Sequence, residues 1–188
     1  FVNGRFSRSL STPIASDTSL IGTSLAEALV THPELIEPHL TRYANPKESG
    51  FIALNTAFLH DGAVIRIPDQ TCISTPIGLL FLTVNNGCPS VTHPRVLIIL
   101  GYNSQATVVE SYINFDSMDH LTNGVTEIVL SDRASLQHYR LLNEGPRTYF
   151  VGMTRVVQSS DSCLASASFT TGAAIARNDV RVDLEGRG

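Results

Sequence analysis

The strongest constraint on the fold is a series of short strand-like runs that begins at Ala63 and continues almost to the end of the 188-residue chain. The runs are 63–67, 77–84, 95–100, 106–113, 125–130, 135–142, 149–157, 163–169 and 175–184. Polar turns separate them, among them Asn85-Asn86-Gly87, Gly101-Tyr102-Asn103-Ser104 and Asn143-Glu144-Gly145-Pro146. No helical period long enough for a crossover follows Leu59. That argues against a doubly wound α/β sheet, whose parallel strands need helices between them. Two architectures remain: an antiparallel sandwich, or a solenoid that coils short strands in parallel. In the last run Arg177, Asp179, Arg181 and Asp183 fall on one face and Val180, Val182 and Leu184 on the other, so one face is solvated and alternates in sign. Residues 96–100 are apolar on both faces, and that strand is expected to be covered on both sides. A solenoid partly roofed by helices accommodates both kinds of strand. The pattern alone leaves sandwich and solenoid open. The absence of a short sequence repeat weighs against a left-handed β-helix.

The first third supplies candidate roofing helices. Ser24-Leu25-Ala26-Glu27 and Thr31-His32-Pro33-Glu34 match the capping box, in which a hydroxyl and a carboxylate satisfy free N–H groups reciprocally. Asn45-Pro46-Lys47-Glu48 offers an N-cap followed by proline at the first helical position. Phe51, Leu54 and Phe58 then recur as one apolar stripe, and Asp61-Gly62 ends the third helix in a turn. The chain is expected to divide into a helical flank, 1–62, and a β core, 63–188.

Composition narrows the function classes. Hydrophobic residues make up 43% and charged residues 16%, a globular balance. A formal charge of −4 with no Lys/Arg block makes nucleic acid or an anionic membrane a poor main partner. No apolar run approaches the roughly 20 residues of a membrane-spanning helix. The start has neither Met nor a signal pattern and the end interrupts a strand-like run, so the chain is expected to be part of a longer protein. Cys72, Cys88 and Cys163 are odd in number and widely spaced. A disulfide framework or a four-cysteine zinc site is not expected, and a reducing compartment fits best.

Several segments together resemble the SufB/SufD family, SufD more than SufB. They are the block from Phe51 to Gly62 (A-L-N-T-A-F-x-x-D-G at its centre), Ile67-Pro68, Pro76-Ile77 with 79–81, and His93-Pro94 with 95–99. Val108-Val109-Glu110-Ser111-Tyr112, the block from Leu121 to Ile128 (L-T-N-x-V-T-E) and Ala176-Arg177-Asn178-Asp179-Val180 complete the set. The resemblance implies a mainly β fold, a right-handed parallel β-helix (single-stranded solenoid) with short α-helices at its N-terminal side. Its coils would each hold roughly 20–30 residues. It also implies a scaffold role, without turnover of its own, in SUF iron–sulfur cluster assembly and iron delivery. The partners would be a SufB-like subunit and a SufC-like ATPase, in the cytoplasm, or the plastid of a photosynthetic eukaryote. No cofactor bound by this chain is expected, because the cluster is handled transiently by the whole complex. The family's C-terminal cysteine, histidine and SufC-gripping helices would lie beyond Gly188, so no residue here inherits those roles.

Iron and sulfide chemistry draws on thiolates and imidazoles. The three cysteines read as small buried hydrophobes, with Cys88, in a turn, the best candidate for an exposed thiol. The six histidines show no ligand spacing, so neither a metal site nor a catalytic residue is assigned. Asp116 and Asp119 read as turn formers. Glu110 alternates with Val108 and Tyr112, and Glu127 with Val125 and Val129, rows in which a carboxylate is expected to face outward; pointing inward and paired, they would, with His138 in another strand, be the candidates for lining an internal path for sulfide or iron. The charged row of the last strand reads as a solvated face. No G-x-S-x-G or G-x-x-x-x-G-K-[ST] motif occurs, in keeping with a partner supplying the ATPase. A carbohydrate-active β-helix enzyme (polysaccharide lyase or hydrolase) and a SufB-type paralogue are the alternatives. An open edge after the last strand would invite a homodimer through that end of the solenoid.

Overall fold

A computed structural model describes residues 1–12, 20–84, 87–114 and 118–186. The turn expected at Asn85-Asn86 and the Asp116 carboxylate lie outside these residues. The fold is a β-solenoid of about four turns with a few short helices on one side. One sheet contains β1 (Ile21–Ser24), β2 (Gly62–Ile67), β5 (Arg95–Leu100), β7 (His120–Leu130), β9 (Thr148–Gln158) and β11 (Ile175–Leu184), with β4 (Ser90–Thr92) beside β7. The other contains β3 (Ile77–Thr83), β6 (Gln105–Asn114), β8 (Ser135–Glu144) and β10 (Cys163–Gly172). Among these, only β1 pairs antiparallel, with β2; every other pairing is parallel. The sandwich alternative is thereby excluded.

Register gives the coil lengths. Gly62 sits beside Arg95, Arg95 beside Val125, Leu121 beside Tyr149 and Tyr149 beside Ile175, so successive coils hold 33, 30, 28 and 26 residues. The corner from the first sheet to the second is constant over three coils, at 101–104, 131–134 and 159–162. Each carries one left-handed residue, Asn103, Arg133 or Asp161, and Gln70 takes the same conformation one coil earlier. These corners stack through backbone bonds: the N–H of Gln70 donates to Tyr102 O, that of Asn103 to Asp132 O and that of Arg133 to Ser160 O. The described strands leave shorter and shorter connections on the return side, with three residues between β8 and β9 and two between β10 and β11.

Strict alternation sends every second residue into the tube. Its core includes Ile65, Val96, Ile98, Ile128, Leu136 and Val156. Phe1, Phe81, Tyr112 and Phe150 form a ladder through successive coils with ring centres 4.8–5.0 Å apart. The outer face of the first sheet is roofed. There β1 with α1 (Leu25–Thr31) and α2 (Pro33–Ile36) cover Val64, Leu97 and Ile99. Ile52 of α3 (Gly50–Ala57) joins Ala44 over Val125, Val151 and Met153. β5 is therefore buried on both sides, and the charged row of β11 faces outward, both as the sequence implies.

The helix signals are partly corrected. Ser24 caps α1 as expected, its hydroxyl accepting from the Glu27 N–H. Thr31 instead ends α1, donating to Glu27 O, and His32 precedes α2. Asn45 forms a local turn with the Lys47 N–H, so the third helix starts later, capped by Ser49. The buried face of α3 is Ile52 and Asn55, with Phe58 exposed, because the Asn55 amide bonds strand backbone. Cys72 and Cys163 are also corrected, both being exposed rather than buried, while Cys88 is exposed as expected. Cys163 shares the outward row of Ser135 and Gln105, and Cys72 lies on a corner bridged to Gln105.

Candidate functional site

Glu110 and His138 come together inside the tube; Glu127 does not join them. β6 and β8 pair so that Glu110 stands beside Arg140 and Val108 beside His138, all pointing inward. His138 Nε2 lies 2.8 Å from Glu110 Oε1, and the Thr126 hydroxyl donates to the same oxygen at 2.9 Å. The Tyr112 hydroxyl donates to Oε2 at 2.8 Å, and Arg140 Nη2 reaches Oε2 at 3.2 Å and Thr126 Oγ1 at 2.9 Å. Burial pushes the Glu110 carboxyl up, but the Arg140 charge and the His138 and Tyr112 hydrogen bonds outweigh it and hold it well below the usual carboxylate range. Burial, and then the same carboxylate, push the Tyr112 hydroxyl well above its ordinary value. Glu110 is therefore an ionised internal counter-charge.

Gly152 makes room for this cluster, and Gly124 lies in ordinary contact with it. A Cβ on Gly124 would meet the Tyr112 hydroxyl at 3.4 Å, and one on Gly152 would lie 3.1 Å from Arg140 Nη1 and 2.9 Å from Asn178 Oδ1. Glycine in a strand interior marks a close approach, and at Gly152 the neighbours are Phe150, Asn178 and Arg140. The cluster also extends toward the last coil. His138 Nδ1 lies 3.2 Å from Ser166 Oγ, and Arg140 Nη1 donates to Asn178 Oδ1 at 3.4 Å.

Glu127 occupies the opposite side of its strand, outside the tube but fully buried beneath the roof. Its Oε2 accepts from Arg95 Nε at 3.0 Å and Nη2 at 2.5 Å, and from the Thr41 N–H at 3.2 Å. Its Oε1 accepts from the N–H groups of Tyr43 and Ala44 at 3.0 and 2.9 Å. Thr41 adopts φ 62°, a costly conformation for a β-branched residue, which this carboxylate helps to fix. Asn55 completes the lock. Pro94 breaks the strand between β4 and β5, and Asn55 Nδ2 donates to the carbonyls of Pro94 and Asn123 while its Oδ1 accepts from Arg95.

Two further buried groups lie toward the return corners. His120 sits among hydroxyls, with Nδ1 2.8 Å from Ser90 Oγ and Nε2 within 3.1 Å of Thr83 and Thr122. Burial lowers its pKa to about 4, against the hydrogen bond with Ser90. Glu144 borders a water-sized cavity with Thr83, Thr92 and Thr122, and its Oε2 has no protein partner. Burial raises its pKa to about 7, the Thr148 hydrogen bond opposing. A folded pKa above the unfolded one gives a contribution that is full below pH 4.5 and lost as pH rises through 7. Glu144→Gln is expected to raise stability by about 1–2 kcal/mol at pH 8, after discounting for partial solvent access, and by nothing at pH 4. Urea unfolding at both pH values checks this.

Elsewhere the candidates stay apart. Asp119 forms a two-bond pair with Arg147 at 2.8 and 2.7 Å on the surface. His93 stacks on Phe58, and His39 contacts Tyr43. Among the described residues, no three His, Cys, Asp or Glu side chains come together as a metal site, and no helix is long and apolar enough to cross a membrane. Tyr112, Thr126 and Arg140, with Asn55 and Arg95 in the roof lock, were not singled out from sequence. The strand-interior glycines and the proline break were the signals.

Comparison with known proteins matches residues 81–188 to the SufBD core domain of the SUF system for FeS cluster assembly, and residues 1–79 to the SufBD protein N-terminal region. The iron–sulfur cluster assembly SufBD family protein slr0076 of Synechocystis is 30% identical, over 97% of this chain and 42% of its own length. Iron–sulfur cluster assembly protein SufD of Bacillus subtilis is 27% identical, over 71% of this chain and 31% of its own. Protein ABCI7, chloroplastic, of Arabidopsis thaliana is 25% identical, over 80% and 33%. The chain thus spans less than half the length of these relatives. A solenoid with roofing helices at its N-terminal side, matched along both parts, identifies this chain as a member of the SufBD family of the SUF iron–sulfur cluster assembly system.

Proposed function

We propose that this chain is a SufD-type scaffold, without turnover of its own, that works with a SufB-like subunit and a SufC-like ATPase in cluster assembly and iron delivery. The cluster is cargo held by the complex, in the cytoplasm or a plastid. The observation that carries the reading is the match along both family regions, with SufD of Bacillus subtilis and of Escherichia coli among the relatives. The geometry agrees with it: Glu110, the tube's most enclosed carboxylate, is saturated by Arg140, His138, Tyr112 and Thr126, as a rigid scaffold requires.

A second reading keeps Glu110 and His138 as the lining of an internal route for sulfide or iron. It is favoured by the chain of contacts from Glu110 through His138 to Ser166 in the last coil.

Affinity capture of the tagged protein from its own cells is expected to recover a SufB-like chain and a SufC-like ATPase. Its depletion is expected to lower aconitase activity several-fold while enzymes without clusters are unaffected. Unchanged aconitase with no such partners captured would overturn the proposal.

A further inference from the structure

The inside of the tube changes character from one corner to the other. Next to the constant corners it is apolar, with Ile67, Leu100, Leu130 and Leu136 enclosed. On the return side it is polar, and Thr83, Asn114, His120 and Thr148 are buried there. Glu144, at the end of β8, is 6% exposed, and its Oε2 has no protein partner. With Thr83, Thr92 and Thr122 it lines a cavity of about 10 Å³, room for one particle the size of a water molecule. Among the described residues, no Lys or Arg lines this cavity. A buried carboxylate with no cation beside it favours the capture of a positive charge from outside the chain.

We propose that this cavity is a site for one monovalent cation of water's size, K⁺ or NH₄⁺, held by Glu144 and the hydroxyls of Thr83, Thr92 and Thr122. His120 prepares the hydroxyls for that task. It is hydrogen-bonded to the Ser90 backbone, where a carbonyl is the acceptor, and Nδ1 is the nitrogen at Ser90. Nδ1 therefore carries the proton and Nε2 accepts. Thr83, Thr122 and Thr92 lie 3.1, 3.0 and 3.4 Å from Nε2, which draws their protons to its own side and leaves oxygen lone pairs for the cavity. A water has only two protons to offer such a lining, whereas a cation satisfies every oxygen at once. Charge selects a monovalent ion, because one carboxylate balances one positive charge and a divalent ion would leave an excess buried. The donors are oxygens without a thiolate, which disfavours soft transition metals. Occupancy would join β8 to β3, β4 and β7 across both sheets. The site does not rest on the family role.

The test is urea unfolding at pH 8 in tetramethylammonium, sodium, potassium or ammonium chloride, each at about 0.1 M. The folding constant of the native chain is expected to be roughly tenfold higher in KCl or NH₄Cl than in the tetramethylammonium salt, whose cation is too large for the cavity. The larger of those two effects identifies the ion, and NaCl is expected to give less. Glu144→Gln should respond to none of the four salts, so its advantage at pH 8 belongs to tetramethylammonium chloride and is erased in KCl. Thr122→Val, which removes one oxygen, is expected to reduce the KCl effect. A crystal soaked in a thallium(I) salt, a stand-in for K⁺ and NH₄⁺, is expected to show its anomalous peak beside Glu144. A native chain indifferent to the cation is the result for a cavity that holds water alone, and it overturns the proposal. So does an effect largest in NaCl, an equal gain in Glu144→Gln, or a soaked crystal without that peak.

Discussion

Replacing Glu127 by alanine is expected to lower global stability by about 3–5 kcal/mol, because it strands a fully buried guanidinium. Arg95 would keep only Asn55 Oδ1 as a side-chain partner. The N–H groups of Thr41, Tyr43 and Ala44 would lose their acceptor at the same moment, each a buried or half-buried donor. The damage should concentrate in the roof. Hydrogen exchange at residues 41, 43 and 44 is expected to accelerate more than exchange in β7, where the backbone ladder to β9 remains intact. Glu127→Gln should be intermediate, since it retains one acceptor oxygen but turns an amide NH₂ toward Arg95. A loss below about 1 kcal/mol for the alanine variant would mean that water replaces the carboxylate and that the lock is incidental.

Glu110→Ala is the second large effect, again about 3–5 kcal/mol, with Arg140 left beside Thr126 and Asn178. Its pH dependence has the opposite sign to that of Glu144. The folded pKa lies below the unfolded value, so the contribution is present above pH 4.5 and disappears as pH falls below it. Acid unfolding of Glu110→Gln should therefore be shallower than that of the native chain. Glu110→Leu combined with Arg140→Met removes both charges and is expected to recover most of the stability. That double variant separates the two functional readings. If it folds and sustains cluster assembly in cells, no internal route depends on Glu110; if it folds and fails, the route gains its first support.

Much of the solenoid was legible because a half-buried strand announces itself by alternation. The boundaries of β5 and β11 fall where the pattern sets them, and the signed row of β11 faces solvent. The orientation of the two glutamates was not legible. Both sit among valines, and which side each faces depends on Arg140, 30 residues on, and Arg95, 32 residues back. One coil of sequence separates each carboxylate from its cation, and no local period encodes the register between coils. α3 misled for a related reason. Its buried polar residue serves a backbone gap opened by Pro94, which is 39 positions away. Cys163 looked like a small hydrophobe, but its strand's outer face is neutral throughout, so hydrophobicity no longer distinguished inside from outside.

The constant corners have a consequence for how such a chain tolerates change. Four residues at each of 131–134 and 159–162 set the phase of the strand that follows. Adding a single residue there would turn that strand inside out, carrying Arg140 and His138 into solvent and Tyr139 and Leu141 into the tube. The opposite edge has no such gauge, for its connections already differ in length from coil to coil. Insertions and deletions can accumulate along that edge while the other, four residues long in each of the last three coils, stays fixed there, so these coils have one seam free to diversify and one that must be copied unchanged.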